Sequence, residues 1–232
     1  MSINDPVTAF LPCRKGSKRV LHKNIRPFGQ FTHGLVEIKL RQLLACAEID
    51  LVVLSTNDAE IIAFAESLDH SGLTVHHRSE HLSSSTTSTD DLVGHAHDLI
   101  GSGHILWTHV TSPFVGTDSY RKIIAAYRKA LEEGYDSLMT ATVLQAFLWN
   151  EAGPITYDRS IEKWPQTQTI APVHEINSSA FLAPVDVYTH LNDRIGDRPL
   201  LYPMDKITAM DIDWEEDFVI AETLLLKGLV ST

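Results

Sequence analysis

The stretch DLVVLST, residues 50–56, is a run of apolar and β-branched residues with no polar alternation. Such a run suits a strand of a parallel sheet, which is covered on both faces. Asn57 or Asp58 follows directly and can cap a helix over 59–68. A buried strand handing over to a capped helix is half of a βαβ unit, and the same alternation extends in both directions. VTAFLPC (7–13) reads as an earlier strand, followed by a helix over 35–47. LTVHH (73–77), HILWTHV (104–110) and DSLMTATV (136–143) read as later strands. Helices over 91–100 and 117–133 lie among them, and a last helix runs over 215–227. AFLAP (180–184), LLYP (200–203) and AMDID (209–213) read as short strands. The pattern predicts an α/β protein with a three-layer, mostly parallel mixed sheet. Residues 144–178 break the rhythm with three prolines, Trp149 and Trp164, and read as an irregular or β-rich insertion.

The chain has 232 residues, enough for one domain over 1–232 with an inserted segment. Its net charge of −11 argues against nucleic acid or a membrane surface as a partner. No apolar run approaches the roughly 20 residues that span a bilayer. The start, MSINDP, lacks the cationic opening of a secretory signal. Cys13 and Cys46 form no CxxC motif and read as core fillers of a reduced, cytoplasmic protein.

Against that acidic background, six of the 19 Lys and Arg fall within residues 14–26: Arg14, Lys15, Lys18, Arg19, Lys23 and Arg26. They follow the first strand, at the sheet edge where ligands of open α/β sheets bind. Gly16 and Ser17 permit a tight turn and offer amide donors to an anion. Arg14, Lys18 and Lys23 add charge-assisted contacts suited to phosphate. Neither the GxxxxGK[ST] nor the GxGxxG pattern is present. By composition alone, a polyphosphate cradle and a solvated loop pairing with the chain's own carboxylates stand even. Near the other end, Asp211 and Asp213 flank Ile212. Strand alternation would put both carboxylates on one face, as hard ligands for Mg²⁺. A lone Asp-x-Asp is more simply an exposed strand end with a helix cap.

The order of residues in LPCRKGSKRVLHKNI (11–25) resembles the N-terminal motif of the acylneuraminate, or CMP-sialic acid synthetase type, cytidylyltransferases. Leu11, Pro12, Arg14, Gly16, Ser17, Lys18, Lys23, Asn24 and Ile25 match, and Cys13 replaces a usual alanine. The resemblance continues at STND (55–58), at Arg78 with Leu82 and the Ser/Thr loop, at TSPF (111–114), and at MDIDWEEDF (210–218). It implies a Rossmann-like nucleotidyltransferase fold, and an enzyme coupling CTP to an acidic 2-keto-3-deoxy sugar of nonulosonic acid type, giving a CMP-sugar and pyrophosphate. It also implies Mg²⁺, or Mn²⁺ in its place, on Asp211 and Asp213. Arg14 and Lys23 would hold the triphosphate and, with Asp213, form the catalytic set. Leu11, Gly16, Ser17, Lys18 and Asn24 would line the nucleotide site, and Arg78, Thr87 and Thr89 would recognise cytosine. His109, Thr111, Gln168 and Asn177 become the acceptor candidates. Residues 144–190 become a segment carrying a homodimer contact and part of the acceptor site.

The sequence departs from that pattern in the acceptor half. His109 stands where a glutamine is usual, and reads equally as an acceptor ligand or a core histidine. WPQTQTIAPVHEINSSAF (164–181) lacks the arginine expected to hold the sugar carboxylate, with Arg159 and Lys163 just upstream as substitutes. The acceptor is therefore a related nonulosonic acid, a deoxyoctulosonate or amino derivative, or a small phosphonate. A non-catalytic nucleotide-binding protein of the same fold is the rival reading. The remaining histidines, among them His76, His77, His81, His95 and His97, read as structural rather than as a zinc site.

Overall fold

The computed structural model describes residues 2–84 and 86–232. In chain order the elements are β1 (Val7–Pro12), α1 (Gly34–Leu44), β2 (Leu51–Thr56), α2 (Ala59–Ser67), β3 (Leu73–His77), α3 (Thr89–Ile100), β4 (His104–Trp107) and α4 (Thr117–Glu132). They continue with β5 (Ser137–Leu144), β6 (Trp149–Asn150), β7 (Gly153–Pro154), β8 (Val173–Pro184), α5 (Val185–Leu191), β9 (Pro199–Met204) and α6 (Glu215–Leu226). Seven strands form one sheet in the order β3-β2-β1-β4-β8-β5-β9, and β6 and β7 form a separate ribbon. The pairs β1/β2, β2/β3, β1/β4 and β5/β9 are parallel, while β8 runs antiparallel to β4 and β5. The mostly parallel mixed α/β sheet read from the sequence is therefore present.

Alternation along each strand feeds two cores, one per face. Val7, Ala9 and Leu11 of β1 pack on one side with α1, α2, α4 and α6, through residues such as Leu35, Ile61, Ile123 and Phe218. Phe10 points the other way, edge-on to Trp107 at 4.9 Å, among Val93 and Ala96 of α3 and Val185 and Tyr188 of α5. Both faces are covered, which gives three layers and explains why 50–56 reads as unbroken apolar sequence.

Two expectations need correction. Residues 209–213 form no strand. Asp205 Oδ1 accepts from the amides of Ile207 and Thr208, and Ala209 N–H donates to the Asp205 carbonyl, so the chain turns there. Of these five residues, only Ile212 makes a backbone bond to a segment distant in sequence, its amide donating to Thr111 O at 2.9 Å. The apolar look of AMDID comes from Ala209 and Ile212, which are buried as single anchors. Second, the strand read at 180–184 begins at Val173. Its first half is polar because that half borders the cleft described next.

Candidate active site

The strands β1, β2, β3, β4, β5 and β9 point the same way, so their C-terminal ends share one edge of the sheet. The loops after them carry residues 13–25, 57–58, 78, 108–115 and 205–213. β8 runs oppositely and brings its N-terminal residues Glu175–Ser178 to the same edge. Its register with β5 shifts between Met139 and Ala141. Thr140 fills the irregularity, its hydroxyl donating to Ala180 O and accepting from Ala180 N–H. Ser178 lies there with φ of 46°.

The basic loop is braced before any ligand arrives. Asn24 Nδ2 donates to Arg14 O at 3.0 Å, closing the loop across ten residues, and Val36 N–H donates to Asn24 O. Lys15 N–H donates to Asn57 Oδ1 at 2.8 Å, while Asp58 caps α2. The STND motif thus anchors both the loop and a helix. Gly16 takes φ of +83° with open space where a Cβ would sit, so its role is conformational.

A cleft of about 540 Å³ is lined by Pro12, Arg14, Ser17, Lys18, Arg19, Lys23, Asn24, His109, Val110 and Thr111. A smaller recess of about 110 Å³ lies behind the loop and also touches Arg14, Gly16, Ser17 and Lys23. Across the DID segment a second cleft, about 510 Å³, is walled by Thr142, Glu175, Asn177, Lys206, Asp211 and Asp213 among others. Lys23 lines the first cleft and reaches the segment that walls the second. Its ammonium donates to the carbonyl of Ile212, between the two aspartates, and lies 3.6 Å from Asp213. Burial lowers the Lys23 pKa, and Asp213 and Asp211 oppose that shift.

Arg19 pairs with Asp213 at 2.7 Å and Arg26 with Glu215 at 2.8 Å. Among the described residues Arg14, Lys15 and Lys18 form no ion pair. Half of the loop's cations thus face the chain's own carboxylates, and among the described residues the other half have no carboxylate partner. Asp211 and Asp213 line one cleft although no strand aligns them. Their placement comes from buried Ile212, from its bond to Thr111, and from Asp217 Oδ2, which accepts from the amides of Asp213 and Trp214.

The buried side-chain atoms without a partner among the described residues include two charged groups beside this sheet edge. Asp211 Oδ1 makes no hydrogen bond, and neither do Arg78 Nε and Nη2, though Arg78 is only 4% exposed. An unpaired buried charge is costly. Burial lowers the Arg78 pKa, with Arg14 adding to the shift and Cys13 opposing it. The Cys13 thiol is pushed up to about 12 by burial, in keeping with a core filler.

His109 is held at both ring nitrogens. Trp107 Nε1–H donates to Nε2 at 3.0 Å, so Nδ1 carries the proton it shares with Ser178 O, also at 3.0 Å. Burial lowers its pKa, so the ring is neutral. His109 ties β4 to the irregularity in β8. Asn177 is buried, with its amide bonded to Thr142 and its carbonyl oxygen near Ser179 N–H. Thr111 reaches the first cleft. Leu11 is fully buried in β1 and offers only its backbone. Thr87 donates its hydroxyl to His81 O, Thr89 opens α3, and Gln168 is exposed with its carbonyl accepting from Gln145. None of these three lines either cleft, and neither does Arg78, which lies buried behind the basic loop's strand end.

Lys39 was not among the residues read as functional. It is fully buried, and its Nζ contacts Ser112 O at 2.8 Å, Val115 O at 3.1 Å and Tyr120 Oη at 2.8 Å. Burial pulls its pKa well down. The proton count nevertheless favours the ammonium. Each acceptor takes one N–H, Tyr120 donates to Thr108 at 2.7 Å, and Thr108 donates to Ser179 O at 2.8 Å. A legible signal existed: Leu35, Lys39 and Leu43 recur every four residues, on the buried face of α1.

Residues 8–214 match the family model described as cytidylyltransferase. The chain belongs to the cytidylyltransferase family. It is 30% identical over 152 residues to a pseudaminic acid cytidylyltransferase of Campylobacter jejuni subsp. jejuni serotype O:2, covering 61% of this chain and 62% of that one. It is 25% identical over 226 residues to the post-translational flagellin modification protein B of Campylobacter coli, covering 91% and 92%. The fold is similar to a 4-diphosphocytidyl-2C-methyl-D-erythritol synthase from Anaerococcus prevotii, with a TM-score of 0.68, 16% identity and coverage of 95% and 96%. It is also similar to a CMP:2-keto-3-deoxy-manno-octonic acid synthetase complexed with CTP, with a TM-score of 0.66, 12% identity and coverage of 96% and 99%. Among the described residues no helix is long and apolar enough to cross a membrane.

Proposed function

We propose that this cytidylyltransferase joins CTP to an acidic 2-keto-3-deoxy sugar of nonulosonic acid type, releasing pyrophosphate and giving a CMP-sugar. The observation that carries this reading is the pair of clefts, one lined by Lys23 and the other by the DID segment that Lys23 reaches. One is cationic and sized for a nucleotide, the other is walled by carboxylates and amides. The likeness to a pseudaminic acid cytidylyltransferase supports the acceptor class.

In the reaction the acceptor hydroxyl oxygen forms a bond to the α-phosphorus of CTP, the bond from that phosphorus to the bridging oxygen of the β-phosphate breaks, and the hydroxyl proton passes to water. Arg14, Ser17 and Lys18 bind the β- and γ-phosphates, and Lys23 meets charge developing on the leaving pyrophosphate. Arg78 supplies guanidinium N–H donors that have no partner within the protein, and the nucleotide would supply the acceptor. Asp211 and Asp213 fit a divalent cation, since the orphaned Asp211 Oδ1 is the oxygen a hard metal takes. Bound there, Mg²⁺ or Mn²⁺ would polarise the α-phosphoryl oxygens. Lys23, bonded to Ile212 O, fixes the spacing between that carboxylate pair and the phosphate loop. His109, Thr111 and Asn177 shape the boundary between the clefts.

The inserted segment supports a second copy as partner. Phe147 packs edge to face with Tyr157 and Trp164 at 5.3 and 5.5 Å, and Tyr157 lies tilted to Trp164 at 6.4 Å, yet Trp149 beside them is 46% and Trp164 64% exposed. We infer a homodimer through this face, a setting in which such rings become covered. The function is tested by pyrophosphate release from CTP and Mg²⁺ with N-acetylneuraminate, pseudaminate, deoxyoctulosonates and phosphonates as acceptors. Release with a nine-carbon sugar acid is expected; release only with a phosphonate overturns the acceptor assignment.

A further inference from the structure

An acidic acceptor must enter a cleft that already carries Glu175, Asp211 and Asp213 on its walls. The sequence offers no arginine at the place expected to hold the sugar carboxylate. The two substitutes nearest in sequence do not reach the cleft within this chain. Arg159 lies over the rings of Trp149 and Trp164 at 5.4 and 5.7 Å, and Lys163 is on none of the cleft walls. Arg19 and Lys23 are already turned to Asp213.

Lys206 is the sole cation lining this cleft, and among the described residues it makes no ion pair and no side-chain hydrogen bond. Its backbone is fixed. Asp205 Oδ1 accepts from the amides of Ile207 at 3.1 Å and Thr208 at 2.9 Å, and those bonds hold the Asp205 carboxyl below the usual range. Lys206 thus sits at the tip of a rigid turn, just after β9, on the same wall as the aspartate pair. A freely rotating ammonium on a fixed backbone suits a point contact with a carboxylate.

We propose that Lys206 holds the carboxylate of the acceptor sugar, in place of the missing arginine. The proposal rests on the function given above and names the group that recognises the acid. It orients the sugar with its anionic end toward the 205–208 turn and its hydroxyl toward the phosphate loop.

The test is steady-state pyrophosphate release by the full-length protein, with the nonulosonic acid that wild type turns over and with the C1 carboxamide of the same sugar. Lys206→Met is expected to raise KM for the acid roughly ten- to hundredfold, the loss of one charge-assisted hydrogen bond, with KM for CTP unchanged within about twofold. Its preference for the acid over the carboxamide should collapse, and Lys206→Arg should restore most of it. An unchanged acid KM in Lys206→Met, beside an active wild type, overturns this assignment alone. So does a loss of acid preference in Arg159→Met with none in Lys206→Met, which moves the contact to the inserted segment of a partner copy. If wild type releases pyrophosphate with no sugar acid, both the function and this assignment fall.

Discussion

Asp211 and Arg78 both bury charged side-chain atoms without a hydrogen-bond partner, and their charges are opposite. Each buries atoms without a partner, so each should give a signature that an ordinary structural residue does not. Arg78→Met removes an unpaired buried cation. It is expected to raise the thermal midpoint of the free protein while weakening CTP binding about tenfold or more, as read by calorimetry and titration. A lowered midpoint would mean that Arg78 braces the fold instead. Asp211→Asn and Asp213→Asn should each cut pyrophosphate release by about two orders of magnitude, the scale of 2–4 kcal/mol for a preorganised charge. They should also raise the Mg²⁺ needed for half activity. His95 shows a third kind of incompleteness. It shares Ser55 with His76, and burial, His76 and Arg78 pull its pKa down to about 4 from 6.5. Between those values the unfolded chain binds more protons than the folded one, so stability falls as pH drops from 6.5 to 4. Urea titrations at several pH values should show that slope, and His95→Gln should flatten it.

At the scale of elements, Lys39 decides how α1 meets the loop after β4. Lys39→Met keeps the length of the side chain but strips donors from Ser112 O and Val115 O. Its expected cost is about 1–3 kcal/mol, measured by denaturant unfolding. A neutral result would show that the carbonyls find other donors. The elements differed in how plainly the sequence announced them. The strands at 7–12, 51–56 and 104–107 were legible because both faces are buried and nearly every residue is apolar or β-branched, with Ser55 and His104 the exceptions. The first half of β8 was not legible, because Glu175 and Asn177 serve the cleft and interrupt the pattern. The 209–213 segment misled for the opposite reason, since two buried anchors gave a turn the look of a strand. The basic loop could be placed from residue order, and the structure brings Arg14, Ser17, Lys18 and Lys23 to one cleft. The acceptor side was harder to read: His109 could be named from residue order, but Lys206 sits on a turn after β9 that carries no periodic signal.

At the scale of the whole molecule, one sheet edge collects the loops after six parallel strands and the start of an antiparallel one. The cationic loop from β1 and the carboxylates after β9 come from opposite ends of the chain, and Lys23 and Arg19 bridge them. The inserted segment stands apart with its rings exposed, and we infer a second copy there. Trp149→Ser with Trp164→Ser should shift sedimentation from dimer toward monomer; an unshifted dimer would place the contact elsewhere. The central claim is that these loops form a site for cytidylyl transfer to a sugar acid. The most direct test is pyrophosphate release with CTP, Mg²⁺ and the acceptor panel, run beside Asp213→Asn. The account predicts release with a nonulosonic acid and its near-complete loss in the variant. Equal release by both proteins, or none with any sugar acid, would contradict it.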